Sequence, residues 1–272
     1  MKIRFKEAKS IITKSNIPGI DFVINPYIGC QHGCIYCYAE FMKRFTDHGG
    51  DNWGDFLDIK SFSTEKIKPE KYDDKTILIS SVTDPYIPLE LKYKNTRKIL
   101  KHLIGTKANI SILTKSRFAE RDIDLFKRFE NIEVGISICS LNEDFTRKIE
   151  PLASKPKERL ALIENLHRNG IKTYIFISPF FPHITKFQEI IENTMDFTDS
   201  YMFENLNFRP HNISRIFNAI KNNFPNLVSI YKEFQKNNSN WDIIEENIIN
   251  YCEKKGVKYQ IEFHHGGFSK DK

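Results

Sequence analysis

Short β-branched and aromatic runs alternate along the chain with longer amphipathic stretches. "TILISS" (76–81), "NISILT" (109–114), "VGISIC" (134–139), "KTYIFIS" (172–178) and "YMFENLNF" (201–208) have the length and residue types of strands. Between them, "NTRKILKHLIG" (95–105), "AERDIDLFKRF" (119–129), "KPKERLALIENLHRNG" (155–170) and "TKFQEIIENT" (185–194) space their apolar residues as helices do. Gly105 and Gly170 stand where helices end, and Asn95 and Asp122 are placed to cap helix starts. With "DFVINPYI" (21–28) as the first strand, about six βα units follow. Such alternation predicts an α/β fold with a parallel sheet, open or closed into a barrel.

In such folds ligands sit at the carboxyl ends of the strands. There the first strand runs directly into "GCQHGCIYCYAE", which holds Cys30, Cys34 and Cys37 in a CxxxCxxC spacing. Later strands end on small or polar residues: Ser80, Ser81, Thr83 and Asp84; Thr114, Lys115 and Ser116; Ser137 and Cys139; Ser178 and Pro179. Together these positions read as the lining of a pocket.

Composition narrows the class. The 272 residues suffice for one barrel-sized core, expected over 1–225, with a short extension over 226–272. Hydrophobic residues at 40% and charged residues at 28% exclude wholesale disorder. A net charge of +6 favours anionic partners, but the basic residues are spread rather than gathered into a stripe, so nucleic-acid binding is not decided by charge. The start "MKIRFKEAKSIITKSN" has no apolar run of signal-peptide length, and "YIFISPFF" is too short to cross a bilayer. The expectation is a cytoplasmic protein with no membrane partner. In that compartment five cysteines, three of them clustered, point to metal or redox chemistry rather than disulfides.

The odd number of thiols is informative. Structural zinc takes four ligands, so the motif would need His32 or His48 as the fourth, and no second CxxC pair exists elsewhere. A ferredoxin-type iron–sulfur cluster also takes four cysteines, whereas Cys139 and Cys252 are isolated. Three ligands leave an open coordination position, which a catalytic metal needs and a structural one avoids. An iron–sulfur or zinc-stabilised binding module without chemistry is the alternative, and it requires a fourth protein ligand. Gly29 and Gly33 have a mechanical rationale as well, because a tight loop around a cluster demands unusual torsions and close approach.

CxxxCxxC with Tyr36 before its last cysteine, after a first strand and within βα alternation, resembles the signature of radical S-adenosylmethionine enzymes. "NPYIGCQHGCIYCYA", "SVTDPYIPLELKYKNTRKIL", "ILTKSRFAERDIDLF", "GISICSLNEDF", "IEPLASKPKERLALIENLHRNGI" and "ISPFFP" are similar, in order and spacing, to the spore-photoproduct-lyase-like branch, the DNA repair photolyase group. The likeness runs over roughly residues 20–210. It implies a partial (β/α)6 TIM-like barrel, a 4Fe-4S cluster and S-adenosylmethionine as cofactors, and an electron donor such as a ferredoxin or flavodoxin. Cys30, Cys34 and Cys37 would bind three irons, and S-adenosylmethionine the fourth; its reductive cleavage would give a 5′-deoxyadenosyl radical that abstracts hydrogen from substrate. By the same resemblance Tyr36 would flank the adenine, Ser81, Thr83 and Asp84 would receive the methionine amino group, and Lys115 and Ser137 would reach the carboxylate or ribose. Ser178 joins this cofactor-binding set. Such a ligand requires charge-assisted contacts of this kind.

The departures bear on the substrate. Spore photoproduct lyase carries a hydrogen-donating cysteine where this chain reads "ISSVTD", with Ser80 and Ser81, and the branch often has an arginine where Leu152 follows Pro151. Cys139, on the same alternating face as Ser137, is a candidate replacement donor. The substrate is therefore left open between a DNA lesion and a small molecule or peptide. Cys252 reads as packing in a tail helix. The loop "FTDHGGDNWGDF" (45–56) reads most plainly as an ordered connection, with a cap over the pocket that brings Trp53 and Asp55 to substrate as the alternative, and His264 and His265 read as surface residues.

Overall fold

The computed structural model describes residues 1–263. The chain opens with β1 (Lys2–Glu7), β2 (Ile12–Lys14), β3 (Phe22–Ile24), β4 (Tyr27–Ile28) and β5 (Phe56–Ser61). It then alternates through β6 (Thr76–Ile79), α1 (Glu90–Tyr93), α2 (Asn95–Leu103), β7 (Asn109–Thr114), α3 (Ile123–Phe126), β8 (Ile132–Ser137), α4 (Glu143–Ile149) and α5 (Pro156–Arg168). The remainder is β9 (Lys172–Phe180), α6 (Phe187–Glu192), β10 (Ser200–Asn205), α7 (Ile213–Asn223), α8 (Val228–Lys236), α9 (Ser239–Lys255) and β11 (Tyr259–Glu262). The main sheet has the order β11-β10-β9-β8-β7-β6-β3-β2, all parallel except β2. Its two edges do not pair among the described residues, so the expected partial barrel is an open, parallel-stranded sheet. A small sheet, β1-β5-β4, stands beside it.

The two faces of the main sheet differ. Ile77, Ile79, Ile110, Ile112, Val134 and Ile136 are fully or almost fully buried, whereas Leu78 and Leu113, which alternate with them, are only half-buried. α5 shows how a helix serves the buried face. Pro156 at its first turn and the Glu158 carboxylate on the Lys155 N–H at 2.9 Å start it, and Gly170, at φ +75°, follows its end. Leu162, Ile163 and Leu166 lie on its inner stripe, each contributing about 1.5–3 kcal/mol by burial. Arg159 occupies the same stripe, a placement explained by the site below.

Three expectations need correction. "DFVINPYI" is not one strand: Asn25 leaves the ladder to accept the Ser81 and Val82 N–H groups at 2.9 and 3.2 Å, and Tyr27–Ile28 pairs antiparallel with β5 in the small sheet. Asn95 does not cap α2, since its side chain donates to the Lys60 carbonyl at 2.9 Å. Asp122 makes no capping bond either, because Arg97, Arg121 and Tyr86 hold its carboxylate. Among the described residues no helix is long and apolar enough to cross a membrane. His264 and His265 lie outside the described residues.

Candidate active site at the carboxyl end of the sheet

Residues 29–37 form a loop between β4 and a 3-10 helix, Tyr38–Phe45. Cys30 and Cys34 are buried and Cys37 is half-buried. Gly33 N–H turns back to the Cys30 carbonyl at 3.3 Å, and Cys37 N–H to that of Cys34 at 3.1 Å. Gly29 has φ +89°, and a Cβ there would sit 2.7 Å from the Phe56 carbonyl oxygen. Gly33 has φ +60° and packs on Gly54. Both positions therefore require glycine for the reasons expected of a tight loop. Thr83 Oγ1 donates to the Gly29 carbonyl at 2.6 Å, so the loop after β6 anchors the cysteine loop at its start.

Burial pushes the Cys30 and Cys37 thiols up to about 12 and Cys34 higher still. The backbone N–H groups of His32 and Asp84 beside Cys30, and that of Ala39 beside Cys37, oppose this. Thiolates here thus need a cation to share their charge. Among the described residues, no three His, Cys, Asp or Glu side chains converge as ligands of a single metal ion. Three thiols fit a 4Fe-4S cluster, which takes one cysteine on each of three irons, and fall one short of the four ligands of a structural zinc. His48 is no fourth ligand, since its Nδ1 meets Asp51 at 2.8 Å and its Nε2 meets Asp58 at 2.9 Å. Burial lowers the pKa of His32, whose Nδ1 lies 3.4 Å from Asp84, and its Nε2 is buried without a hydrogen-bond partner.

The strand ends gather the other predicted residues around this loop. Asp84 braces it: its carboxylate accepts Tyr86 N–H at 2.8 Å, Thr114 Oγ1 at 2.7 Å and Lys115 N–H at 2.8 Å. Ser81 shares Asn25 at 3.3 Å and its carbonyl accepts Tyr38 Oη. The Lys115 ammonium lies 5.9 Å from the Tyr36 ring centroid, and among the described residues it makes no hydrogen bond or ion pair. Ser137 Oγ donates to the Ser178 carbonyl at 3.0 Å, and Ser178 Oγ to Glu204 at 2.6 Å. Asp55 is an exposed turn residue taking Asn52 at 3.1 Å, and Trp53 is buried.

At the centre stands Glu150, which has no role in the expectations above. Glu150 Oε1 accepts both the Tyr36 hydroxyl and the Cys139 thiol, the latter at 3.6 Å, and Oε2 accepts Arg159. Arg159 also reaches the Ser137 carbonyl at 2.9 Å and that of Ser154 at 2.7 Å. Burial alone would raise the Glu150 pKa, but the Arg159 and Lys115 charges and the bonds from Arg159 and Tyr36 bring it below the ordinary value. The signal was an arginine on the apolar stripe of α5, which implies a buried acid. Cys139 lies beyond the last residue of β8 and is fully buried, so simple strand alternation does not describe it.

The radical SAM superfamily model matches residues 24–197. An uncharacterized protein of Methanocaldococcus jannaschii is 39% identical over 252 residues, covering 92% of this chain and 93% of that one. A radical SAM Nα-GlyT isomerase of Pseudomonas phage M6 is 27% identical over 169 residues, 61% of this chain and 34% of its own length. Among solved structures, spore photoproduct lyase complexed with dinucleoside spore photoproduct is similar in fold, with a TM-score of 0.68 and 14% identity over 96% of this chain and 82% of that one. The chain belongs to the radical SAM superfamily, enzymes that use a 4Fe-4S cluster and cleave S-adenosylmethionine by radical chemistry.

Proposed function

We propose that Cys30, Cys34 and Cys37 each bind one iron of the 4Fe-4S cluster and leave the fourth iron to S-adenosylmethionine. The observation that carries this reading is a loop that gathers three thiols at the carboxyl end of the sheet while two other candidate ligands are engaged, His48 by two aspartates and Cys139 by Glu150; His32 keeps its Nε2 without a partner, which makes the zinc outcome of the test below a real alternative. The bound pair supplies a 5′-deoxyadenosyl radical, given one electron from a donor such as a ferredoxin or flavodoxin. The chain's own residues bind and orient. Lys115, a cation on the Tyr36 ring whose ammonium makes no direct ion pair or hydrogen bond among the described residues, is placed for the methionine carboxylate. The loop Ser81–Asp84 presents negative charge to the amino group, Tyr36 flanks the adenine, and Ser137 and Ser178 line the ribose side. The half-buried face of the sheet would hold substrate away from water and stray hydrogen donors.

A DNA lesion is the substrate favoured by likeness to the spore-photoproduct-lyase-like branch. Ser80 and Ser81 supply only O–H groups, poor hydrogen-atom donors beside a thiol. Cys139 is accordingly the proposed donor, its S–H directed by Glu150. The test of the cluster assignment is iron, sulfide and EPR analysis of anaerobically reconstituted protein with each cysteine changed to alanine. About four irons per chain and an EPR signal altered by S-adenosylmethionine are expected, with the signal lost in each variant. Tightly bound zinc, or a cluster indifferent to S-adenosylmethionine, would overturn the reading.

A further inference from the structure

The segment Trp53–Phe56 presses on the cysteine loop at both of its glycines. A Cβ on Gly54 would lie 2.9 Å from Gly33 Cα, and the Phe56 carbonyl stands 2.7 Å from where a Gly29 Cβ would be. The Trp53 ring packs edge-on to Phe56, with centroids 5.7 Å apart and planes at 77°. It shares a buried apolar cluster with Cys30, Ala39 and Ile87, against which Cys37 packs. Trp53 is only 6% exposed, yet its Nε1–H has no hydrogen-bond partner.

An indole N–H is donor only, and a buried donor without an acceptor is an uncompensated cost. A phenylalanine would fill the same space without it. We propose that the Trp53 indole N–H donates to the sulfur of Cys37 once that thiolate holds the cluster, and that this bond raises the cluster's reduction potential. The proposal rests on Cys37 being a cluster ligand. The direction follows from charge: a donor to a ligating sulfur stabilises the more negative, reduced cluster. Trp53 is thereby a positioning and tuning residue for the cluster rather than a substrate contact.

The experiment compares reconstituted wild-type protein with Trp53→Phe, measuring iron and sulfide content, the EPR response to S-adenosylmethionine, and the midpoint potential of the cluster by redox titration. Equal loading with a roughly tenfold less favourable reduction in the variant is expected, a fall of about 59 mV for one electron. Loaded proteins with equal potentials would overturn the proposal and leave the cluster assignment intact. A wild-type protein without a cluster that answers S-adenosylmethionine would instead sink that assignment and this inference together. Should Trp53→Phe fail to load, fluorotryptophan incorporated into the wild-type sequence keeps the packing and strengthens the N–H donor. The other tryptophan, Trp241 in α9, packs on Phe234 of α8 and on Phe263 just after β11. The potential then rises if the bond exists, and an unchanged potential overturns the proposal.

Discussion

The Asn212 side-chain amide donates to the Tyr36 carbonyl at 2.9 Å, joining positions 176 residues apart. It does not act alone. Arg215 Nε donates to the Ile35 carbonyl at 3.2 Å, and His211 Nε2 meets that of Cys37 at 3.3 Å. Three consecutive carbonyls of the cysteine loop are therefore held by the segment that follows β10. Asn212 is itself fixed, with Oδ1 accepting Arg209 N–H at 2.9 Å and Nδ2 also reaching the Asn207 carbonyl at 3.2 Å.

Asn212→Ala removes the centre of this clamp. Each buried polar group left unpaired costs about 1–3 kcal/mol, so a clearly lower urea midpoint is expected. The reconstituted variant should also release iron to a chelator faster than wild type. An unchanged midpoint and release rate would show that the clamp does not hold the loop.

Glu150 and Arg159 form a buried pair in which each needs the other. Arg159→Leu leaves a buried carboxylate uncompensated and should destabilise by about 3–5 kcal/mol in chemical denaturation. Adding Glu150→Leu should recover part of the loss. The pH dependence has a definite sign. Because the folded pKa of Glu150 lies below its unfolded value, its contribution is present above the ordinary carboxylate range and is lost as pH falls through the lower folded value. Cluster-free protein titrated downward through that range should lose stability more steeply than Glu150→Gln.

Gly29→Ala confronts a positive φ and the Phe56 carbonyl at once. Residues forced into such torsions cost about 1–3 kcal/mol before any clash is counted. The expected outcome is a marked fall in iron bound per chain, measured beside Gly49→Ala, where an added Cβ meets nothing within 4 Å.

The parallel sheet was readable because its strands are short apolar runs between amphipathic helices, and the cysteine loop was readable because three ligands in sequence need no folding to be recognised. The split of "DFVINPYI" was hidden, since only the partner N–H groups of Ser81 and Val82 reveal that Asn25 acts as a cap rather than a ladder residue. Strand β1 was missed because its exposed, charged alternation resembles a loop, and β2 because its three residues, of which only Ile12 is buried, are too few to show a period. Glu150 and the clamp from Asn212 are long-range pairings, and a single sequence encodes long-range pairing only through oddities such as a buried arginine.

Cys139 tests the hydrogen-return step separately from radical generation. Cys139→Ala should keep 5′-deoxyadenosine formation near wild type while shifting substrate products toward unquenched or misdirected species, as read by mass spectrometry. Full yield of the normal product would remove Cys139 from the chemistry and leave it as packing around Glu150.

The most direct measurement is 5′-deoxyadenosine formed by anaerobically reconstituted protein with S-adenosylmethionine and a strong reductant, set beside Cys34→Ala. The account predicts formation in the wild-type protein and none in the variant. Equal formation in both, or none in a wild-type protein that carries its full complement of iron and sulfide, would contradict it.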